Sequence, residues 1–176
     1  APDYLYLDTF DGKVANDEAV NSTNSSNEPG RWTTYDKAGM SVYDSVVSNV
    51  NYKASAGKTT LSRLVSNKIV GMNDLYAWLA TNASFDVSGI KLYGHSKLSL
   101  SYLQTYPSSG LKIEYSVDGG EEWCQIGTSV HPNANSVATY SHDFVLSQSY
   151  KTISLRFTAT AAAPRIDNIK LTWQAE

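Results

Sequence analysis

The stretch Leu98–Gly127, LSLSYLQTYPSSGLKIEYSVDGGEEWCQIG, decides the fold. Leu98, Leu100 and Tyr102 fall on one parity, and Leu111, Ile113, Tyr115 and Val117 on another. Successive side chains of a strand point to opposite faces, so each run reads as a strand with one side on a core. Tyr106-Pro107-Ser108-Ser109-Gly110 is turn chemistry, because proline presets φ and glycine reaches conformations that other residues avoid. Asp118-Gly119-Gly120 is a tighter turn of the Asp-Gly type that joins hairpin strands. The stretch therefore predicts a meander of antiparallel strands.

The same pattern extends outward in both directions. Tyr4–Phe10 alternates and reads as the first strand, ended by Asp11-Gly12. Residues 13–31 are polar and predict a long surface loop. Arg31–Tyr35 is extended, and Ser41–Val50 is a strand with an irregularity. Ala77–Thr81 and Phe85–Gly89 precede the central stretch. Residues 127–139 read as a polar loop, followed by strands at Tyr140–Leu146, Thr152–Thr158 and Arg165–Gln174. Few windows carry helical periodicity, and the best is Leu61–Val70. Nine or ten strands without a repeat favour an all-β, two-sheet antiparallel β-sandwich of jelly-roll type over a propeller or solenoid.

The totals agree with that class. A chain of 176 residues suits one domain, residues 1–176, and buries enough surface to fold without obligatory staples. Cys124 is the single cysteine, so no intrachain disulfide can form. The net charge is −3 with no basic run, which argues against nucleic acid as a partner. No apolar run reaches the roughly 18 residues of a membrane-spanning helix, so no membrane insertion is expected. The sequence starts Ala-Pro-Asp-Tyr without methionine and reads as a mature or excised piece. Twelve tyrosines and four tryptophans, with only 18% charged residues, suit pleated, half-buried surface. Asn21, Asn24 and Asn82 each begin an N-x-[ST] sequon, which matters only in a glycosylating host.

Phe10-Asp11-Gly12, WLATNASFDVSG from Trp78, KLSLSY from Lys97, LKIEYSVDGGEEW from Leu111, ISLRFTA from Ile153 and RIDNIKL from Arg165 occur here in a characteristic order. This set resembles secreted jelly-roll modules of Bacteroidetes-like bacteria, of choice-of-anchor type or related to galactose-binding-like carbohydrate-binding modules. The resemblance covers most of the chain from Trp78 onward and covers residues 13–75 poorly. It implies a non-catalytic accessory module that brings an attached enzyme or surface protein to a polysaccharide. It also implies a secreted or cell-surface monomer within a larger protein. An adhesive or spacer module that binds protein is the alternative, and a jelly-roll lyase or hydrolase comes third. Fold analogy alone does not choose between them.

The resemblance further implies a structural calcium ion, Ca2+, shared by an acid on the first strand, Asp8 or Asp11, and Asp167 on the last. Asp167 shares the parity of Ile169, Leu171 and Trp173, and an inward carboxylate needs a partner. The alternative is that Asp167 caps a turn or pairs with Arg165, Arg156 or Lys170. For sugar stacking, flat aromatic rings suit the apolar faces of pyranoses. Trp32, Tyr35, Tyr52, Tyr93 and Tyr106 are the candidates, while Trp78, Trp123 and Trp173 lie in apolar contexts that read as core.

Other motifs point to structure or to nothing. Ser116-x-Asp118-x-Gly120-x-x-Trp123 fits an Asp-box, in which the aspartate bonds turn amides and the tryptophan packs on the hairpin. Glu121 and Glu122 are adjacent and would face opposite ways on a strand, a poor catalytic pair. Ser55–Thr60 imitates the end of a phosphate loop, but Tyr52 stands where the first glycine belongs. No H-E-x-x-H or G-x-S-x-G is present. His95, His131 and His142 are scattered and read as solvent-exposed or backbone-bonded, and nothing near Cys124 activates its thiol. The chain is expected to be no enzyme.

Overall fold

The structure, a computed structural model, describes residues 4–10, 40–42, 50–54, 62–65, 69–72 and 76–175; for 40–42, 54 and 62–65 it describes the backbone only. Twelve strands occur among the described residues: β1 Tyr6–Asp8, β2 Met40–Val42, β3 Asn51–Ala54, β4 Ser62–Val65, β5 Tyr76–Leu79, β6 Ser84–Lys91, β7 Lys97–Thr105, β8 Gly110–Ser116, β9 Cys124–Val130, β10 Ala138–Val145, β11 Thr152–Ala161 and β12 Arg165–Trp173. They form two antiparallel sheets packed as a sandwich. The larger runs β10-β7-β12-β1-β2, with β5 also pairing β12 and β4 pairing β5. The smaller runs β3-β6-β11-β8-β9.

Alternation along the strands supplies the inner faces. Leu98, Leu100 and Tyr102 of β7 and Ile166, Ile169 and Leu171 of β12 are buried on the larger sheet. Leu111 and Ile113 of β8 join Leu155 and Phe157 of β11 on the smaller one. Phe85 and Phe157 stack with ring centres 5.0 Å apart, and Tyr102 of the opposite sheet meets Phe157 edge-on at 6.0 Å. Burying a large apolar side chain contributes about 1.5–3 kcal/mol, so this aromatic cluster anchors one sheet to the other.

Three sequence expectations change. The 98–117 region is no meander, because β7 belongs to the larger sheet and β8 to the smaller. The turn between them crosses the sandwich: Ser109 N–H donates to Tyr106 O at 3.1 Å, and Ser108 takes φ 57° at the position that needs it. Alternation marks which face of a strand is apolar and says nothing about its neighbour. Second, within the window read as helical, Ser62–Val65 is a strand, β4, paired with Tyr76–Leu79. Third, residues 127–130 belong to β9, which completes the Asp118-Gly119-Gly120 hairpin with β8.

The tryptophans and histidines differ from expectation in part, since Trp173 does pack on the main core. Trp78 packs with Ile69, Met72 and Tyr76 in a small satellite cluster. Trp123 is half-buried, with the Arg156 guanidinium 3.9 Å from its ring centre, and Trp173 stacks on His95 at 4.5 Å. His131 is buried and bonds Tyr140 Oη through Nδ1 at 2.9 Å, while half-buried His142 bonds Tyr102 Oη through Nε2 at 2.8 Å. The rings of His131 and His142 each bond a tyrosine hydroxyl, whereas that of His95 stacks on Trp173.

Candidate binding groove on the outer face of the larger sheet

The residues of β7 and β12 that point away from the core define a shallow groove. Ser99, Ser101 and Leu103 alternate outward on β7, and Lys170 and Thr172 on β12. All five are half-buried, whereas Thr139, Ser141 and Asp143 on the edge strand β10 are exposed. One depression, of about 330 Å³, is lined by Leu7, Thr9, Ser101, Leu103, Asn168 and Lys170. A second, of about 390 Å³, is lined by Ile69, Tyr76, Thr105, Tyr106, Asn135 and Arg165. The paired register of β7 and β12 places the two on one face: Arg165 opposes Thr105, and Lys170 opposes Ser101.

A β-bulge separates them. Between Asp167 and Lys170 the β12 register slips against β7, and Asn168 takes φ 51°, which asparagine tolerates. On one side of the bulge β12 pairs β5, through Arg165 and Ile166; on the other it pairs β1. The slip places Asp167 opposite Leu103 instead of keeping the parity of Ile169, and the residue is nevertheless fully buried. Its Oδ1 accepts the N–H of Asn168 at 2.8 Å.

The second depression ends on an aromatic–arginine stack. Arg165 lies 3.9 Å from the Tyr106 ring centre and 5.6 Å from that of Trp78, and its guanidinium donates to the carbonyl of Ala163. Such contacts orient a guanidinium while leaving ring edges to solvent. Tyr106 is 39% exposed and holds φ 104°, a conformation rarely taken by a bulky side chain. Backbone strain of this kind persists where surroundings fix it, and it clusters at binding sites.

The outer face of the smaller sheet differs. Arg156 makes two bonds to Asp86, at 2.8 and 2.9 Å, and Lys112 lies 3.6 Å from Glu114. The Asp86 bonds are the main reason the Arg156 pKa is raised. Arg156 and Lys112 are thus matched within the sheet, and Trp123 is occupied against Arg156 and the Asp-box turn.

The predicted site residues separate widely. Tyr106 is at the groove. Tyr93, 44% exposed, lies beyond the opposite end of β7, on the order of 30 Å away by strand rise. Tyr52 is no sugar platform: its hydroxyl bonds the Asp8 carboxylate and sits 2.5 Å from Tyr6 Oη, and its ring packs on the core. Trp32, Tyr35 and Asp11 lie outside the described residues, as do the polar loop 13–31 and Ser55–Thr60. Asp8 is fully buried and accepts the Phe10 N–H at 2.7 Å. It pairs with Ile169, two residues from Asp167. Burial and the Asp8 charge push the Tyr6 hydroxyl well above the ordinary tyrosine range. Among the described residues no cluster of three or more His, Cys, Asp or Glu side chains stands ready for a metal ion. Sequence reasoning missed Arg165, Asn135 and Lys170; the positions of Arg165 and Lys170 on one strand were visible, but not the face they share with Tyr106.

No protein-family model matches the sequence, and no curated protein matches it. Solved structures do. The CBM22-1–GH10 modules of Clostridium thermocellum endo-1,4-beta-D-xylanase 10B, complexed with xylohexaose, align with TM-score 0.55 and 14% identity over 73% of this chain and 26% of that one. The CBM22-1 xylan-binding domain from a Paenibacillus barcinonensis protein aligns with TM-score 0.51 and 10% identity, over 70% and 87%. The K2 cleaved adhesin domain of Lys-gingipain aligns with TM-score 0.50 and 11% identity, over 72% and 89%. The chain thus spans about a quarter of the xylanase chain and most of the two single modules. At these identities the likeness is one of fold, and it defines the class: a jelly-roll β-sandwich of the kind that carbohydrate-binding modules use.

Proposed function

We propose that this chain is a non-catalytic carbohydrate-binding module that targets an attached enzyme or surface protein to a polysaccharide. The groove on the larger sheet carries the reading. Its floor offers short hydroxyl and amide groups, Thr9, Ser101 and Asn168, and one end offers Tyr106 and Arg165. Flat rings with a few placed polar groups suit a pyranose chain, which presents apolar C–H faces and hydroxyl edges. The fold shared with xylan-binding modules supports the reading. The His142–Tyr102 pair turns towards the core side of β7. Among the described residues no helix is long and apolar enough to cross a membrane, and the reading puts the module outside the cell, as a monomeric part of a larger protein.

Affinity electrophoresis against immobilised plant and microbial polysaccharides tests this. Retardation by at least one, weakened in Tyr106→Ala with unchanged melting, is the expected result; no retardation by any would overturn it. A second reading, an adhesive module that binds protein, draws on the fold shared with the gingipain adhesin domain.

We also propose that a structural calcium ion ties the chain ends together through Asp8, Asp11 and Asp167. Asp8 and Asp167 are fully buried carboxylates on paired strands. Carboxylates are the hard oxygen donors that calcium takes. Calorimetric titration of chelator-treated protein with calcium should show binding that raises the melting temperature and disappears in Asp167→Ala. A flat titration would remove the ion from the account.

A further inference from the structure

We infer that His131 is a positioning residue for the groove: it anchors residues 131–137, the loop from β9 to β10, and this loop holds the Tyr106 turn in its binding shape. The inference rests on the glycan-binding reading above. Tyr106 at φ 104° and Ser108 at φ 57° both take positive φ, which side chains other than glycine's avoid. A turn with two such residues keeps its shape where its neighbours over-determine it. The 131–137 loop supplies that support. The Ser108 N–H donates to Pro132 O at 3.1 Å, and the His131 N–H donates to Ser109 O at 2.8 Å. Thr105, just before Tyr106, donates through Oγ1 to Ser136 O at 2.8 Å. Asn135 of the same loop lines the depression beside Tyr106. The loop is thus both a wall of the groove and the brace of its aromatic end.

His131 fixes this loop to the interior. It is 1% exposed, and its Nδ1 bonds Tyr140 Oη at 2.9 Å. The two rings meet edge-on, with centres 6.1 Å apart. Nε2 has no partner among the described residues, so Nδ1 makes the ring's polar contact. Tyr140 packs against the main core and stacks on Tyr102 with ring centres 6.0 Å apart. It belongs to the core side of β10, whereas its neighbours Thr139 and Ser141 face outward. A change at Tyr140 therefore reaches a polysaccharide through His131 and the loop rather than by contact. From the other side, the Gln104 amide donates to Ser109 Oγ at 3.0 Å, so the turn is clamped between β7 and the loop. Linkage of this kind is reciprocal: an ordered loop favours binding, and binding orders the loop.

The test joins affinity electrophoresis and calorimetry, with arabinoxylan, galactan, mixed-linkage glucan and polygalacturonate as probes, to amide hydrogen exchange. Tyr140→Phe and His131→Leu should each weaken binding of the retained polysaccharide. A turn left in its binding shape in about a tenth of the molecules lowers apparent affinity about tenfold. The amides of residues 108 and 131 should exchange faster in both variants, with cooperative melting retained. His131→Asn puts an amide group near the Nδ1 position and should regain most of the lost affinity. In the parent, bound polysaccharide should slow exchange at the same two amides. Parent-like affinity in Tyr140→Phe and His131→Leu, with binding weakened in Tyr106→Ala, overturns the inference and leaves the module reading standing. Unchanged exchange at residues 108 and 131 in both variants also overturns it. A parent that binds none of the probes removes the reading and the inference together.

Discussion

Tyr102 shows how single residues join the sheets. Its hydroxyl donates to Ser129 Oγ at 2.7 Å, Ser129 donates to Gln104 Oε1 at 2.5 Å, and Gln104 Nε2 donates to Ser109 Oγ at 3.0 Å. With the Tyr102 proton committed to Ser129, His142 must donate through Nε2, which fixes its neutral tautomer. Burial, opposed by the Ser129 bond, pushes the Tyr102 hydroxyl far up. Replacing Tyr102 by Phe leaves Ser129 and His142 without their partner, and should cost about 1–3 kcal/mol, read as a lower midpoint in urea. His142 adds a pH dependence. Burial holds its pKa below the ordinary value of 6.5, so the unfolded chain takes up a proton first as pH falls. Its contribution is complete above that ordinary value and is lost as pH falls towards the folded value. The melting temperature should fall across this window, and His142→Gln should flatten the fall. Nothing in the sequence marked these histidines, because the network joins residues up to 40 positions apart.

At the scale of elements, the β8–β9 hairpin was the most legible part. Asp118 Oδ1 accepts the N–H groups of Glu121 and Glu122, each at 3.0 Å, and takes the Ser116 hydroxyl at 2.7 Å. Trp123 Nε1 donates to Gly120 O at 3.1 Å. The Asp-box reading predicted this closure because every partner lies within a few residues. The Glu122 amide and Ser116 hydroxyl hold the Asp118 carboxyl below its usual range. Its help to the turn is therefore present above the ordinary carboxylate range and is lost as pH falls through the lowered value. Asp118→Ala should speed hydrogen exchange at the Glu121 and Glu122 amides with little change in global melting. Unchanged exchange would mean that the turn holds itself. The elements that were misread depend on distant partners. Leu61–Val70 has an apolar spacing that a helix could use, yet Ser62–Val65 finds the edge of β5. Tyr106–Gly110 looks like a hairpin turn, yet it crosses between sheets, tied by Ser108 N–H to Pro132 O at 3.1 Å and by His131 N–H to Ser109 O at 2.8 Å.

Across the whole molecule, the two outer faces divide the labour. The smaller sheet carries the Arg156–Asp86 and Lys112–Glu114 pairs, and the larger sheet sets Arg165, Lys170, Tyr106 and a row of hydroxyls around a groove. The sandwich class was legible because alternation recurs along most of the chain from Leu98 onward. The groove was not, since it depends on a bulge at Asp167–Lys170 and on β5 meeting β12 beside Arg165. The central claim is that the larger sheet's outer face binds polysaccharide. The most direct measurement compares affinity for one retained polysaccharide in Tyr106→Ala and in Glu114→Gln, a change on the opposite face. The account predicts a loss of about tenfold or more in the first, as expected when an exposed aromatic anchor is removed, and parent-like binding in the second. Parent-like binding by Tyr106→Ala, or a loss confined to Glu114→Gln, would contradict it.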